Sequence, residues 1–147
     1  MSVPAGALPA DRAISQYVLR TWTPREGLPG VSSYAITQTP DGLLWMGTTD
    51  GLVRFDGFDF LLFQKHDTPA FTQNEVSYLH TDPGGALWIG LADGMLVLYE
   101  AGRFRKILTA AEGHTGRLST LPGGDLLLSG PGTVSYTHLT LPTNREV

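Results

Sequence analysis

The chain is organised around residues 40–52, which read Pro40-Asp41-Gly42-Leu43-Leu44-Trp45-Met46-Gly47-Thr48-Thr49-Asp50-Gly51-Leu52. The stretch returns as Pro83-Gly84-Gly85-Ala86-Leu87-Trp88-Ile89-Gly90-Leu91-Ala92-Asp93-Gly94-Met95, each matched position lying 43 residues further on. A weaker third copy, after another 39 residues, reads Pro122-Gly123-Gly124-Asp125-Leu126-Leu127-Leu128-Ser129. A period of about 40–45 residues filled with short strands and glycine turns is typical of the blades of a β-propeller.

Each copy predicts strands that alternate with tight turns. Proline and glycine favour a turn at the start of the copy, and an Asp-Gly pair favours another at its end. Residues 43–46 and 86–89 are apolar at every position, which indicates strands covered on both faces. In a propeller the neighbouring blades provide that cover.

The repeated residues are therefore predicted to have structural roles. Trp45 and Trp88 are predicted to pack between blades, and Gly47 and Gly90 are predicted to allow close approach of the backbone. Asp50, Gly51, Asp93 and Gly94 are predicted to form turns. The alternative is that the two tryptophans stack on a ligand. This explains less well why they repeat at the same position within apolar strands.

The predicted fold class is all-β, a partial β-propeller of about two and a half four-stranded antiparallel blades. The pattern places blade one at residues 31–64, blade two at residues 75–108 and a partial blade three at residues 117–134. Residues 17–22 alternate aromatic or branched residues with polar ones, which predicts a lone strand ahead of blade one.

The two ends of the chain do not follow the repeat. Residues 1–16 are small and proline-rich at their start, and we expect a flexible segment without the features of a signal peptide. Residues 135–147 have no counterpart in the earlier units. They look like the translated read-through of a sequencing adapter, so a non-native tail on a truncated fragment is the prediction.

Composition excludes several classes of function. The 147 residues carry a net charge of −4 without a block of like charges, so the footprint of a nucleic-acid-binding protein is absent. There is no cysteine, which excludes disulfides and a thiol nucleophile. The sequence has no apolar run long enough for a membrane segment.

One longer motif points to a known family. Blade one reads Trp45-Met46-Gly47-Thr48-Thr49-Asp50-Gly51-Leu52-Val53-Arg54-Phe55-Asp56-Gly57, and the lead-in reads Arg20-Thr21-Trp22-Thr23 and then Glu26-Gly27-Leu28-Pro29. Together they resemble the two-component regulator propeller family, the repeat of bacterial ligand-sensing ectodomains. Blade two departs from this motif at Leu98-Tyr99-Glu100, and blade three lacks the tryptophan.

The resemblance implies a sensor that lies in the periplasm in the full-length receptor. Family members continue into further blades, a small β-sandwich, one membrane helix and an output domain such as a histidine kinase or a diguanylate cyclase. The implied partners are thus the missing blades and the output domain of the same receptor, together with a small-molecule or glycan ligand. Nucleic acid is not among them.

No catalytic, metal-binding or cofactor-binding motif accompanies the repeat. No pair of histidines has the spacing of metal ligands on one element, and no Gly-x-Ser-x-Gly elbow occurs. The aspartates at positions 41, 50, 56 and 93 precede glycines or turns, where an aspartate caps its own backbone. We therefore expect a protein that is not an enzyme and that holds no cofactor.

The candidate ligand contacts lie in loops. Links between blades and turns between second and third strands share one face of a propeller, and loops vary while the blades hold them. This geometry nominates Lys65, His66, Asp67, Gln73 and Asn74, with Thr48 and Asp50 at the nearby corner. Two other classes stay open: a fragment of a propeller enzyme resembling a lyase, and a protein-binding scaffold.

Overall fold

The computed structural model describes residues 18–29, 32–108, 117–122, 125–130 and 133–137. Blade one consists of β1 (Ser33–Gln38), β2 (Leu44–Thr48), β3 (Leu52–Phe55) and β4 (Phe60–Phe63). Blade two consists of β5 (Val76–Thr81), β6 (Leu87–Leu91), β7 (Leu96–Glu100) and β8 (Arg103–Leu108). Blade three contributes β9 (Arg117–Thr120), β10 (Leu126–Gly130) and β11 (Thr133–Thr137).

Within each blade the strands pair antiparallel in chain order, which confirms the predicted fold class. The first strands of successive blades neighbour one another, β1 beside β5 and β5 beside β9. The hydroxyls of Thr37 and Thr81 meet at 2.9 Å between the first pair, and His80 Nε2 meets Thr120 Oγ1 between the second. Each first strand is an edge strand of its sheet. The blades therefore approach one another along their first strands.

One backbone hydrogen bond across the repeated hairpin turn recurs in all three units. The N–H of Thr39 donates to the carbonyl of Leu43 at 3.0 Å, and the N–H of Asp82 donates to the carbonyl of Ala86 at 3.0 Å. In blade three the N–H of Leu121 donates to the carbonyl of Asp125 at 2.8 Å. The third copy therefore preserves this hydrogen bond although it has lost the tryptophan.

Each of the two repeated tryptophans is hydrogen-bonded to the side chain of the residue that begins this turn. Trp45 Nε1 donates to the hydroxyl of Thr39 at 2.9 Å, and Trp88 Nε1 donates to a carboxylate oxygen of Asp82 at 3.0 Å. Both tryptophan side chains are completely buried. A buried indole N–H needs an acceptor, so each unit keeps a polar residue six positions before its tryptophan.

The main core lies between blade one and blade two. It contains Trp45 and Leu52 from blade one together with Val76, Ile89 and Val97 from blade two. The Trp45 ring also lies 4.9 Å from the ring of Tyr99. Blade two thus covers the face of β2 that carries Trp45, whereas Leu44 and Met46 on the other face are half-buried.

The repeated glycines make room for different neighbours. A Cβ at Gly47 would lie 2.7 Å from Val76 Cγ1 and 3.0 Å from the carbonyl oxygen of Val76, in the adjacent blade. A Cβ at Gly90 would lie inside the ring of Tyr78, in the same sheet. Burial of that ring raises the pKa of Tyr78 to about 12. Gly47 thus allows close contact between the two blades, whereas Gly90 leaves room for the ring of Tyr78 within one sheet.

One detail of the predicted organisation differs from the structure. Residues 18–22 form no strand and are exposed, and Trp22 instead packs its ring 4.9 Å from Phe55. Phe58 lies in the turn before β4, where Asp56 Oδ1 accepts from the N–H groups of Phe58 and Asp59 at 2.8 Å each. The segment 135–137, predicted to be part of a non-native tail, continues β11 and pairs with β10.

The remaining predictions for the two ends concern undescribed residues. Residues 1–16, expected to be flexible, and residues 138–147 of the predicted tail lie outside the described part of the chain. The pairing of β11 gives no information on whether residues 135–137 are native, so that prediction remains open.

We predict that Gly47→Ala destabilises the fold by about 1–3 kcal/mol, because the added methyl overlaps Val76 across the blade interface. Urea denaturation with an unchanged slope and a lower midpoint would report this loss. Gly84→Ala is the matched control, since its Cβ would meet only Asp82 Oδ1 at 3.3 Å in an exposed turn. It should change stability by no more than about 0.5 kcal/mol. Equal effects of the two substitutions would contradict the close approach at Gly47.

Candidate ligand-binding face

Most of the candidate ligand contacts lie on one face, which consists of the link between blades (residues 64–75) and the turns at residues 48–51 and 91–94. We call this surface the linker face. Gln64 Nε2 donates to the carbonyl of Asp50 at 2.9 Å in blade one. Thr72 Oγ1 donates to Asp93 Oδ2 at 2.5 Å in blade two. The link is therefore attached to the equivalent turn of both blades.

The first part of the link folds into a tight turn. The N–H groups of Asp67 and Thr68 donate to the carbonyl of Gln64 at 3.1 and 2.9 Å. In return, the N–H of Gln64 donates to Asp67 Oδ1 at 2.8 Å. Lys65 and His66 lie at the outside of this turn and are exposed.

The carboxylate of Asp67 belongs to the same turn. The hydrogen bond from the N–H of Gln64, followed by that from Thr68 Oγ1 at 2.9 Å, holds the pKa of Asp67 below its ordinary value. His66 Nε2 lies 3.8 Å from the second oxygen, Oδ2. About 46% of the Asp67 side chain is exposed, so an ionised carboxylate faces solvent beside the His66 ring.

The second part of the link is held by amide side chains. Asn74 Oδ1 accepts from the N–H of Lys65 at 2.7 Å and closes the loop. The side-chain oxygen of Gln73, in the amide orientation that satisfies its surroundings, accepts from the N–H groups of Ala92 and Asp93. Both of these side chains therefore have structural roles at the link.

Asp93 combines two of these attachments. Its Oδ1 accepts from the N–H of Met95 at 3.1 Å, so it caps its own turn. Partial burial acts to raise the pKa of Asp93, but the hydrogen bonds from Thr72, Met95 and Gln73 together outweigh it, and the net shift is downward.

The equivalent corner of blade one uses a threonine instead. Thr48 Oγ1 donates to the carbonyl of Gly51 at 2.8 Å and accepts from the N–H groups of Asp50 and Gly51 at 3.2 and 3.1 Å. Thr48 is buried, while Asp50 is exposed. The prediction that Asp50 caps this turn is therefore wrong, because the hydroxyl of Thr48 occupies that role.

The seven nominated residues thus divide by what they do in the structure. Those engaged in holding the loops are Thr48, Gln73 and Asn74, and those exposed to solvent are Lys65, His66 and Asp50, while Asp67 is both exposed and bonded within its loop. A role of any of them in binding stays a prediction. The sequence reasoning missed Gln64 and Thr72, which attach the link to the blades and which no repeat marks. It also missed Thr39 and Asp82, although their shared offset from the tryptophans is a signal that could have identified them.

Two further properties of the described residues bear on function. No group of three or more histidine, aspartate and glutamate side chains in the described ranges has a geometry that could hold a metal ion. Among the same residues, none of the helical turns has the length and apolar composition needed to cross a membrane.

We predict that Thr72→Val raises the pKa of Asp93 towards the ordinary value of about 3.9, because the carboxylate loses a hydroxyl donor. A carboxylate with a lowered pKa stabilises the fold above its unfolded-state pKa, and this contribution is lost as the pH falls through the folded-state pKa. The variant should therefore lose less stability than the wild type between pH 7 and acid pH.

Carboxyl ¹³C NMR titration of the variant measures the change at Asp93 directly. Asp67 is the internal control, because its donors Gln64 and Thr68 are unaffected by the substitution. An unchanged Asp93 titration would mean that the bond to Thr72 does not form in solution.

Comparisons with known proteins agree with this architecture. Residues 27–50 match the family described as Two component regulator propeller. Histidine kinase P4 of Formosa agariphila is 40% identical over 52 residues, which make up 35% of this chain and 4% of that kinase. The chain thus spans only a small part of that relative.

A solved structure extends the comparison to the fold. The extracellular domain of a putative hybrid two component system from B. thetaiotaomicron superposes with a TM-score of 0.61 and 23% sequence identity. The match covers 74% of this chain and 17% of the solved chain. At this level of identity the comparison supports the fold, and the motif in blade one supports the family. Residues 27–50 of this chain thus match the two-component regulator propeller family, and its blades share the fold of the solved extracellular domain.

Proposed function

We propose that this chain is part of the ligand-sensing, non-enzymatic ectodomain of a bacterial signalling receptor, of the two-component or diguanylate cyclase type. The observation that carries the proposal is the attachment of the link between blades to Asp50 in blade one and to Asp93 in blade two. The family match at residues 27–50 supports the receptor class, and the extracellular neighbour supports a periplasmic location.

The proposed mechanism follows from how the linker face is built. A small molecule or glycan that binds the exposed Lys65, His66 and Asp67 contacts a loop shared by two blades. Binding would order this loop and favour one relative position of the blades, and a ligand shifts an equilibrium by its differential affinity for the two states. Further blades and the output domain of the same receptor are the proposed partners that transmit the change.

The receptor assignment is tested by long-read sequencing across the gene. We expect the reading frame to continue beyond Val134 through more units of about 43 residues into a membrane helix and a signalling domain. A genuine stop after residue 147, with no such segments on either side, would contradict the receptor assignment.

The role of the linker face is tested in the full-length receptor with a transcriptional reporter. We predict that the double variant Lys65→Ala and His66→Ala reduces the response to a panel of oligosaccharides and small metabolites. Stability should change by no more than about 0.5 kcal/mol, because both side chains are exposed. Phe58→Ser is the control, since Phe58 is 87% exposed in the β3–β4 turn at the opposite end of the strands. An unchanged response in the double variant, or an equal loss in the control, would argue against sensing by this face.

A further inference from the structure

A crevice opens between the outer strands of blades one and two, next to the linker face. Its volume is about 380 Å³, within the range of about 300–1,000 Å³ that small-molecule sites occupy. Phe63 at the end of β4 and Phe104 in β8 line it with their aromatic rings, and Pro69 and Ala70 of the link complete the apolar part. The crevice therefore exists only where two blades and their link meet.

The apolar part of the crevice is held in place by aromatic packing. The rings of Phe63 and Phe104 meet edge to face with their centroids 5.1 Å apart. The ring of Phe104 also packs at 4.6 Å on Tyr99 and at 5.6 Å on Phe71. Such contacts fix ring positions beyond the effect of burial alone, so the crevice is formed before a ligand arrives.

Two opposite charges line the same crevice. Asp67 contributes a carboxylate from the link, and Arg103 contributes a guanidinium from the start of β8. The hydrogen bonds from Gln64 and Thr68 keep the pKa of Asp67 low, so its carboxylate is ionised at neutral pH, and an arginine keeps its charge at any physiological pH. His66 lies beside Asp67 on the solvent side, with Nε2 3.8 Å from Oδ2.

We propose that this crevice binds an apolar α-amino acid as its zwitterion. The apolar side chain packs against the joined rings of Phe63 and Phe104, the ammonium group pairs with Asp67, and the carboxylate pairs with Arg103. An apolar body carrying both charges matches this lining, whereas a neutral apolar ligand leaves both ionic groups unused. The inference rests on the proposed sensing function, because it names the class of ligand for the part of the link that contains Asp67.

The test uses the 147-residue chain, L-phenylalanine as the probe and isothermal titration calorimetry. Two truncated probes serve as controls: 3-phenylpropionate lacks the ammonium group, and 2-phenylethylamine lacks the carboxylate. We expect L-phenylalanine to bind at least about tenfold more tightly than either, because each loses one charge-assisted contact. Near-ultraviolet circular dichroism of the buried Trp45 and Trp88 verifies that every sample is folded.

Variants assign each charge to its partner. Arg103→Gln should weaken binding of L-phenylalanine and 3-phenylpropionate and leave 2-phenylethylamine unchanged, whereas Asp67→Asn should weaken L-phenylalanine and 2-phenylethylamine only. Arg25→Gln is the matched control, because Arg25 is an exposed cation in the turn Pro24–Glu26, away from the crevice lining.

Three results would overturn the inference: equal affinities for the three probes, no binding of L-phenylalanine by folded protein, or binding that neither charge variant alters. Each of these would leave the receptor assignment intact, since that assignment depends on the reading frame of the gene. A reading frame without receptor segments would instead refute the sensing role, even if the crevice bound L-phenylalanine as expected.

Discussion

Blades one and two approach each other so closely that the backbone of β2 at Gly47 packs directly on Val76 in β5. At this separation the side chain of Trp45 is completely buried in the core that the two blades share. Neither sheet could bury that face alone, as is typical of repeat proteins whose units stabilise one another through their neighbours. The remaining features of the molecule, from the buried tryptophans to the surfaces proposed for binding, depend on this spacing.

The attachment of the link to both blades also depends on this spacing. Its side chains reach the equivalent turns of both sheets, through Gln64 in one direction and Thr72 and Gln73 in the other. These hydrogen bonds leave Lys65, His66 and Asp67 directed to solvent on a loop that two blades position. A ligand that binds there would act on the relation between blades and not on a single sheet. For a sensor domain, such a shared loop provides a physical route from binding to a change in shape.

The crevice beside the link is lined by a combination of side chains that no single repeat contains. Phe63 and Asp67 come with blade one and its link, and Phe104 and Arg103 come with blade two. Their combination of an apolar interior with two opposite charges depends on the neighbouring units being different in sequence. Blade interfaces of this kind can therefore acquire separate ligand preferences while the turns and tryptophans of the repeat are retained.

The sequence by itself determined the strands, the turns and the buried tryptophans, because these depend on short-range chemistry: glycine at tight turns, an apolar run between them and a constant 43-residue offset. The motif in blade one also indicated a resemblance to the two-component regulator propeller family, which residues 27–50 match. Only the tertiary structure decided that Thr48 caps a turn expected of Asp50, that Thr72 bonds to Asp93, and that residues 18–22 form no strand. The bond between Thr72 and Asp93 joins residues that are 21 positions apart, where periodicity carries no information about individual contacts. The cap at residues 48–51 is local, but a hydroxyl and a carboxylate can both cap such a turn, so residue type alone did not decide between Thr48 and Asp50.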